Sequence, residues 1–551
     1  MKTRRTGQEQ SLWYKDAVIY QLHVRTFFDS DGNGTGDFQG LIQKLDYILE
    51  LGANTVWIMP FFRSPGDDDG YDVTDYRAVD PRYGNLNDFR NFVSAAHARG
   101  LRVIIELVLN HTSDDHPWFQ RARRSEIGST DRDYYVWSKN DDKFSQARVI
   151  FTDVENSNWT WDPIANAHYW HRFYEHQPDL NYNNPAVVQS MIEVMQYWID
   201  QDIDGFRLDA VPYLIEREGT SSESLAETHR ILKRIRKSVC ERNPDIVLIA
   251  EANQPTEKVM EYFGDGDECH MAFHFPLMPQ IFMAIAKGKG QPIISAVTRT
   301  LDIPDSCQWA IFLRNHDELS LEMVSDKDRQ YLWSAYAPEE EARINLGIRR
   351  RLAPLMDNDR QRIELMHALL LSLPGSPVLY YGDEIGMGDN IALADRHGVR
   401  TPMQWTDEAN GGFSSNAEDD LTLPVISDGA YGFRRVNVAS QLDDAGSLLN
   451  WVRHALAVRS EHDCFGRGTC RILETNNESV ISFIRDYAGD IVLCSFNLSS
   501  DQQAANIQLN PDLPAPSVLL GSGDLQTGGK GLLAATFAPY AYHWALIATE
   551  S

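Results

Sequence analysis

Carboxylates, histidines and an arginine cluster at the ends of short apolar runs. GFRLD (205–209) contains Arg207 and ends in Asp209, and VLIAE (247–251) ends in Glu251. WAIFLRN (309–315) is followed by His316-Asp317, and VIIELV (103–108) by Leu109-Asn110-His111. Carboxylates gathered in one place repel one another, and folds tolerate such a cluster mainly where chemistry uses it. One carboxylate kept ionised beside Arg207, and another pushed up so that it holds a proton, make a nucleophile and a general acid. Glycosidic cleavage needs that pair.

The elements that carry these residues must bring them together. Eight runs read as buried strands: AVIYQL (17–22), TVWIMP (55–60), VIIELV, GFRLD, VLIAE, MAFHFP (271–276), WAIFLRN and SPVLYY (376–381). They are apolar throughout rather than alternating, as strands of a doubly covered parallel sheet are. Helix-period segments such as LNDFRNFVSAAHARG and SMIEVMQYWID lie between them, the first stopping at Gly100, a helix C-terminal signal. The alternation predicts an α/β chain, a (β/α)₈ TIM barrel over residues 1–109 and 179–459, with all strand carboxyl ends on one rim. Residues 110–178, long, polar and aromatic, form an insertion subdomain after strand three. A second insertion, 386–439, also follows a strand end. Residues 460–551 break into short strands (ESVISFIRDY, DIVLCSFNLS, QAANIQL, APSVLLG, YHWALIA) and predict a C-terminal antiparallel β-sandwich.

A second kind of chemistry lies in Asp29-Ser-Asp31-Gly-Asn33-Gly-Thr35-Gly-Asp37. Oxygen donors at alternate positions, with glycines for the tight turn, suit Ca²⁺ or Mg²⁺. Asp29, Asp31, Asn33 and Asp37 offer side-chain oxygens and Thr35 its carbonyl. The twelfth position is Gly40, where an EF-hand carries a bidentate Glu, so the loop is only EF-like. Aromatic residues make up 11% of the chain. Tyr71, Trp118, Phe173 and Tyr174 fall in rim-forming segments, where flat rings can stack on sugar faces.

Composition limits the partners. The 551 residues carry 79 acidic against 51 basic side chains, net −28. That balance disfavours nucleic acid and anionic membrane, and suits a neutral small molecule or a bound cation. The six cysteines form no C-x-x-C pair, which points to a reducing compartment and away from zinc. MKTRRTGQEQSLW has no apolar secretory core, and no apolar run reaches membrane-spanning length. A cytoplasmic enzyme is expected, with no organic cofactor and with room for a homo-oligomer.

GYDVTDY (70–76), VIIELVLNH (103–111), GFRLDAV (205–211), IAEAN (249–253) and FLRNHDE (312–318) together resemble the α-amylase superfamily of retaining glycoside hydrolases and transglycosylases. They follow that family's order along the whole barrel. The resemblance implies Asp209 as nucleophile, Glu251 as acid/base and Asp317 as transition-state stabiliser. It implies Asp72, His111, Arg207, His316 and Arg400 as residues that hold the sugar. It also implies a further calcium site from Asn110, Asp179 and Glu216 with the carbonyls of Tyr213 and Leu214. VPYLIEREGT (211–220), FLRNHDELSLEMV (312–324) and HGVRTPMQW (397–405) are most similar to the branch that isomerises maltose to trehalose. In such an enzyme the freed glucose turns over inside a pocket closed to water, and the 110–178 and 386–439 insertions are expected to form the lid. An α-glucosidase or sucrose isomerase would use the same triad. A non-catalytic binding protein is disfavoured because all three carboxylates are present.

Overall fold

A computed structural model describes residues 12–510, 514–521, 525–527 and 532–548. Residues 1–11, most of the segment read above for a secretory signal, lie outside the described residues. The eight apolar runs become β1 (Ile19–Leu22), β2 (Thr55–Ile58), β3 (Arg102–Val108), β4 (Gly205–Asp209), β5 (Val247–Ala250), β6 (Met271–Phe273), β7 (Gln308–Phe312) and β8 (Ser376–Tyr380). They close in sequential order, β1 pairing with both β2 and β8, and every pairing is parallel. Nearly every residue of these strands is buried, because the lumen packs one face and the helices the other.

The covering helices start where the sequence supplies caps. Asn85 caps Leu86–Ala98, and Asp88 answers with a bond to the Asn85 N–H. The chain then turns at Gly100, whose φ of 78° strains any side-chain-bearing residue. Asn184 caps Pro185–Ile199, with proline in the first turn.

Between β3 and β4, strands Trp137–Ser138, Ala167–Trp170 and Trp159–Asp162 form a small antiparallel sheet. An additional excursion follows β7, which the sequence reading treated as ordinary barrel. Leu319–Ser320, Arg343–Ile344 and Gly347–Ile348 make a three-stranded sheet around the helix Asp326–Tyr336. Strands of two residues are too short to leave a periodic signal.

The helix Leu448–Glu461 packs on the barrel, and the sandwich strands begin at Thr469. They are β9 (Thr469–Leu473), β10 (Val480–Tyr487), β11 (Asp490–Asn497), β12 (Gln503–Gln508), β13 (Ser517–Gly521), β14 (Leu525–Thr527), β15 (Leu532–Phe537) and β16 (Tyr542–Ala548). Two antiparallel sheets, β9-β10-β11-β16-β13 and β12-β15-β14, enclose a core including Ile484, Leu493, Ile507, Leu533 and Phe537. The sequence reading had five of these strands and missed β9, β14 and β15. Among the described residues no helix is long and apolar enough to cross a membrane.

Candidate active site

Glu106 on β3 and Arg207 on β4 are register partners in adjacent parallel strands. Arg207 Nη1 donates to Glu106 Oε1 and to Asp209 Oδ1, both at 2.5 Å, and Nη2 lies 3.3 Å from Glu251 Oε2. Trp57 Nε1 on β2 donates to Glu106 Oε2 at 3.0 Å. Ala210, directly after β4, adopts a left-handed conformation (φ 54°), and its N–H reaches Glu251 Oε2 at 3.0 Å. A non-glycine residue held there stores strain, a frequent mark of active sites.

One guanidinium therefore serves three carboxylates. Burial drives Asp209 well above the carboxylate range; Arg207 opposes the rise, and the Glu251 and Glu106 charges add to it. Burial likewise pushes Glu106 up to about 7. The expectation that Arg207 keeps Asp209 ionised must be corrected for the free site, because burial raises the carboxyl and two further carboxylates compete for the same cation. Without a substrate the cluster favours holding a proton.

The opposite wall is built on His316-Asp317. His316 sits between the Gln21 amide (2.6 Å at Nδ1) and Tyr71 Oη (2.7 Å at Nε2), and Nε2 is 2.9 Å from Asp317 Oδ2. Burial lowers its pKa to about 4, so the ring is neutral. Arg400 Nε donates to the His316 carbonyl at 2.9 Å, Nη2 reaches Asp317 Oδ1 at 3.1 Å, and Nη1 pairs with Asp69. Arg396 Nη1 holds the same Asp317 oxygen at 2.9 Å, and Nη2 holds Asp68 Oδ1 at 3.0 Å. Burial by itself would raise Asp317, but the hydrogen bond from His316 and the charges of Arg396 and Arg400 outweigh it and hold the carboxyl well below its usual range.

These walls border a partly open cavity of about 110 Å³ lined by Asp209, Glu251, Asp317, His111, Tyr71 and Asp68, and also by Phe151, Phe173, Asn253 and Glu322. His111 Nε2 is buried without a hydrogen-bond partner among the described residues, leaving it free for a ligand hydroxyl. Arg148 of the subdomain pairs with Glu322, which lines the cavity, at 3.2 Å and with Glu223 at 2.9 Å. Asn253 Nδ2 donates to Glu322 Oε2 at 2.9 Å, and the Asn345 N–H donates to Asp153 at 2.7 Å. The subdomain is thus fastened to the excursion after β7, which the sequence reading had not included in the lid.

Arg207, His316 and Arg400 stand behind the wall and orient the lining carboxylates. Asp72 requires a correction. It is fully buried, and its carboxylate accepts from Ser64 Oγ (2.7 Å) and the N–H groups of Gly66 (3.2 Å) and Asp67 (2.9 Å). Asp72 thus closes its own turn, and Asp68 in the same loop occupies the pocket wall. Of the proposed stacking residues, Tyr71 and Phe173 line the cavity, whereas Trp118 packs against His116 and Tyr134, and Tyr174 against Phe151. Glu106, Asp68, Glu322 and Arg396 were missed. A glutamate inside VIIELV was the signal available for the first; the others sit in segments without periodic structure.

Both oxygen-rich sites fit a hard cation. Carboxylate oxygens of Asp29, Asp31 and Asp37 lie within 4.8 Å of one another. Asn33 Oδ1 accepts from the Thr35 N–H at 2.8 Å, and Asp37 also caps the helix Phe38–Gln43 through the Gly40 N–H. At the second site Asn110 Nδ2 donates to Asp179 Oδ1 at 2.9 Å. Asn110 Oδ1, Asp179 Oδ2 and both Glu216 oxygens are buried and without partners among the described residues. Burial raises Asp179, and the Glu216 charge raises it further; burial pushes Glu216 to about 7. Unpaired buried oxygens of this kind call for a positive partner. Tyr213 and Leu214 lie between β4 and Glu216, both buried.

A closed eight-stranded barrel with three acidic groups at the carboxyl rim defines a carbohydrate-active barrel enzyme. The α-amylase catalytic domain family matches residues 21–337 and 349–468, and the maltogenic amylase C-terminal domain matches 470–544. The chain belongs to the α-amylase family. It is 54% identical over 518 residues to "Trehalose synthase/amylase TreS" of Mycolicibacterium smegmatis, covering 92% of this chain and 87% of that one. It is 51% identical over 550 residues to "Trehalose synthase" of Pimelobacter sp., covering 97% and 96%. Among solved structures, that of an alpha-glucosyl transfer enzyme, XgtA, superposes with a TM-score of 0.77 at 30% identity, covering 97% of this chain and 99% of that chain.

Proposed function

We propose that this chain is a trehalose synthase that converts maltose and trehalose into one another by moving a glucosyl unit within a closed pocket. The observation that carries this reading is the partly open cavity with Asp209, Glu251 and Asp317 on its walls, in a chain more than half identical to proteins of that name.

The steps follow from where the groups stand. When substrate fills the cavity, Asp209 must be ionised, and its proton passes to the carboxylate cluster around Arg207. Asp209 attacks the anomeric carbon of the non-reducing glucosyl unit and forms a β-glucosyl ester as the glycosidic bond breaks. Glu251, held by the Ala210 N–H, gives its proton to the departing oxygen. Asp317 stays ionised between Arg396, Arg400 and His316, and accepts hydrogen bonds from ring hydroxyls more strongly as positive charge develops. The freed glucose turns over, its anomeric hydroxyl loses a proton to Glu251, and attack on the ester gives the α,α-1,1 linkage. Water reaching the ester yields glucose instead. Arg148, Glu322 and Asn253 at the mouth oppose that leak. The two oxygen-rich sites would hold Ca²⁺ or, at one of them, Mg²⁺; a cation at either would fix the loops and take no part in the reaction. Residence in the cytoplasm accords with six free thiols.

Incubation with maltose followed by chromatography of the sugars tests the proposal. Trehalose as main product supports it, and glucose alone overturns it in favour of an α-glucosidase.

A further inference from the structure

We propose that the groove between the insertion subdomain and the barrel segments at 181–183 and 216–218 carries a second saccharide-binding site, one that takes a neutral gluco-oligosaccharide and performs no chemistry. A groove of about 810 Å³ lies there, and none of its lining residues lines the catalytic cavity. Trp161, in the strand Trp159–Asp162, points out of the sheet and is 47% exposed. Among the described aromatic rings its ring meets the edge of His168, ring centres 5.0 Å apart. A large aromatic left this open on a subdomain whose other indoles are packed needs a reason. The groove lining also includes Trp137, which pairs with Tyr169 and so sits on the opposite sheet face from Trp161, its ring stacked on Phe119 and covered by Arg132 at 3.9 Å, and Ile127, which is 86% exposed.

The polar groups fit the same kind of ligand. Asn166 sits in a left-handed turn (φ 49°) and is exposed. Neither its amide nor the Lys139 ammonium has a side-chain hydrogen bond or ion pair among the described residues. An amide and an ammonium beside an open indole can bind adjacent sugar hydroxyls while the apolar sugar face stacks. Charge argues against an ionic ligand. Arg132, Lys139 and Arg217 stand against Asp133 and Glu218, while Glu216, which also meets the groove, is buried at the oxygen-rich site, and the whole chain carries a net charge of −28. The groove thus lacks the field that would draw a nucleic acid or an acidic peptide.

Occupancy would also steady the subdomain. Glu218, on the groove wall, accepts the Phe144 N–H at 3.0 Å, and Phe144 lies four residues before Arg148 at the catalytic mouth.

Native affinity electrophoresis in gels containing glycogen, with the full chain, tests the site. The wild type should be retarded, and Trp161→Ala should weaken the apparent affinity by about tenfold, the loss expected for one stacked ring and its buried area. Trp161→Phe should retain most of it and Asn166→Ala part of it, while kcat and KM for maltose stay unchanged in all three. Absence of retardation of the wild type overturns the proposal. So does equal retardation of Trp161→Ala, or a loss of retardation that accompanies a raised KM for maltose. A second copy covering the groove is a further overturning outcome: sedimentation would then show Trp161→Ala splitting an oligomer that glycogen does not retard.

Discussion

Glu106 and Arg207 face each other as ladder partners on β3 and β4, and the 2.5 Å bond between them makes the arginine a bridge from a buried glutamate to the Asp209 carboxylate. Burial, with Glu251 and Glu106 competing for the one cation, raises Asp209 in the free protein, so the charge state of the cluster should govern activity.

Glu106→Gln keeps a hydrogen-bond acceptor for Arg207 and removes one of the three negative charges. Glu106 raises Asp209, so its neutralisation lowers the Asp209 pKa, and the acid limb of kcat/KM against pH should move to lower pH. Stability should change in parallel. The wild-type carboxyl titrates near 7 when folded against 4.5 in its ordinary state, so stability falls as pH rises through that window, with a limiting slope of about 1.4 kcal/mol per pH unit. The variant should lack that component. Denaturant titrations at several pH values, beside the activity profile, check both.

Asp209→Asn should abolish isomerisation and hydrolysis together, by about 10⁴-fold or more, as loss of a nucleophile does. Circular dichroism and the melting temperature should stay near those of the wild type. Turnover retained in this variant would remove Asp209 from its role.

Asp72 and Asp68 should part company. Asp72→Ala strips the 64–67 turn of an acceptor for three donors and should cost about 1–3 kcal/mol of stability with little effect on KM. Asp68→Ala should lower kcat/KM for maltose, because that carboxyl lines the cavity and anchors Arg396. Thermal melts and steady-state kinetics on both variants separate the two.

Arg148→Ala unfastens the subdomain from Glu322 and Glu223. The ratio of glucose to trehalose formed from maltose should rise several-fold, since about 1 kcal/mol of easier opening is worth a factor near five. An unchanged ratio would mean that the mouth is closed by other contacts.

Removal of divalent cations by chelation should lower the melting temperature, and added Ca²⁺ should restore it. A free cation concentration of a hundred times Kd is worth roughly 2.7 kcal/mol. Glu216→Gln should reduce the Ca²⁺ response, because both Glu216 oxygens stand unpaired beside Asp179. Melts with and without Ca²⁺ on this variant decide the point.

Much of this protein was legible in one dimension because the relevant physics is local. Strands buried on both faces must be apolar throughout, so all eight barrel strands showed in the sequence, and a strand's carboxyl end points to the rim whatever the rest of the chain does. Asp209, Glu251 and Asp317 were placed by that rule together with a resemblance. Tertiary structure decided what depends on neighbours remote in sequence. Asp68 and Asp72 are both aspartates of one loop, and only the folded turn sends one into the cavity wall and the other back to its own backbone. Glu106 looked like an oddity in a strand until β4 set Arg207 beside it. Arg148 and Glu322 stand 174 residues apart in unpatterned segments, and the ion pair that fastens the mouth exists only after both excursions have packed over the barrel. Periodicity reports which side of an element is buried; it carries no information on which distant side chain waits there.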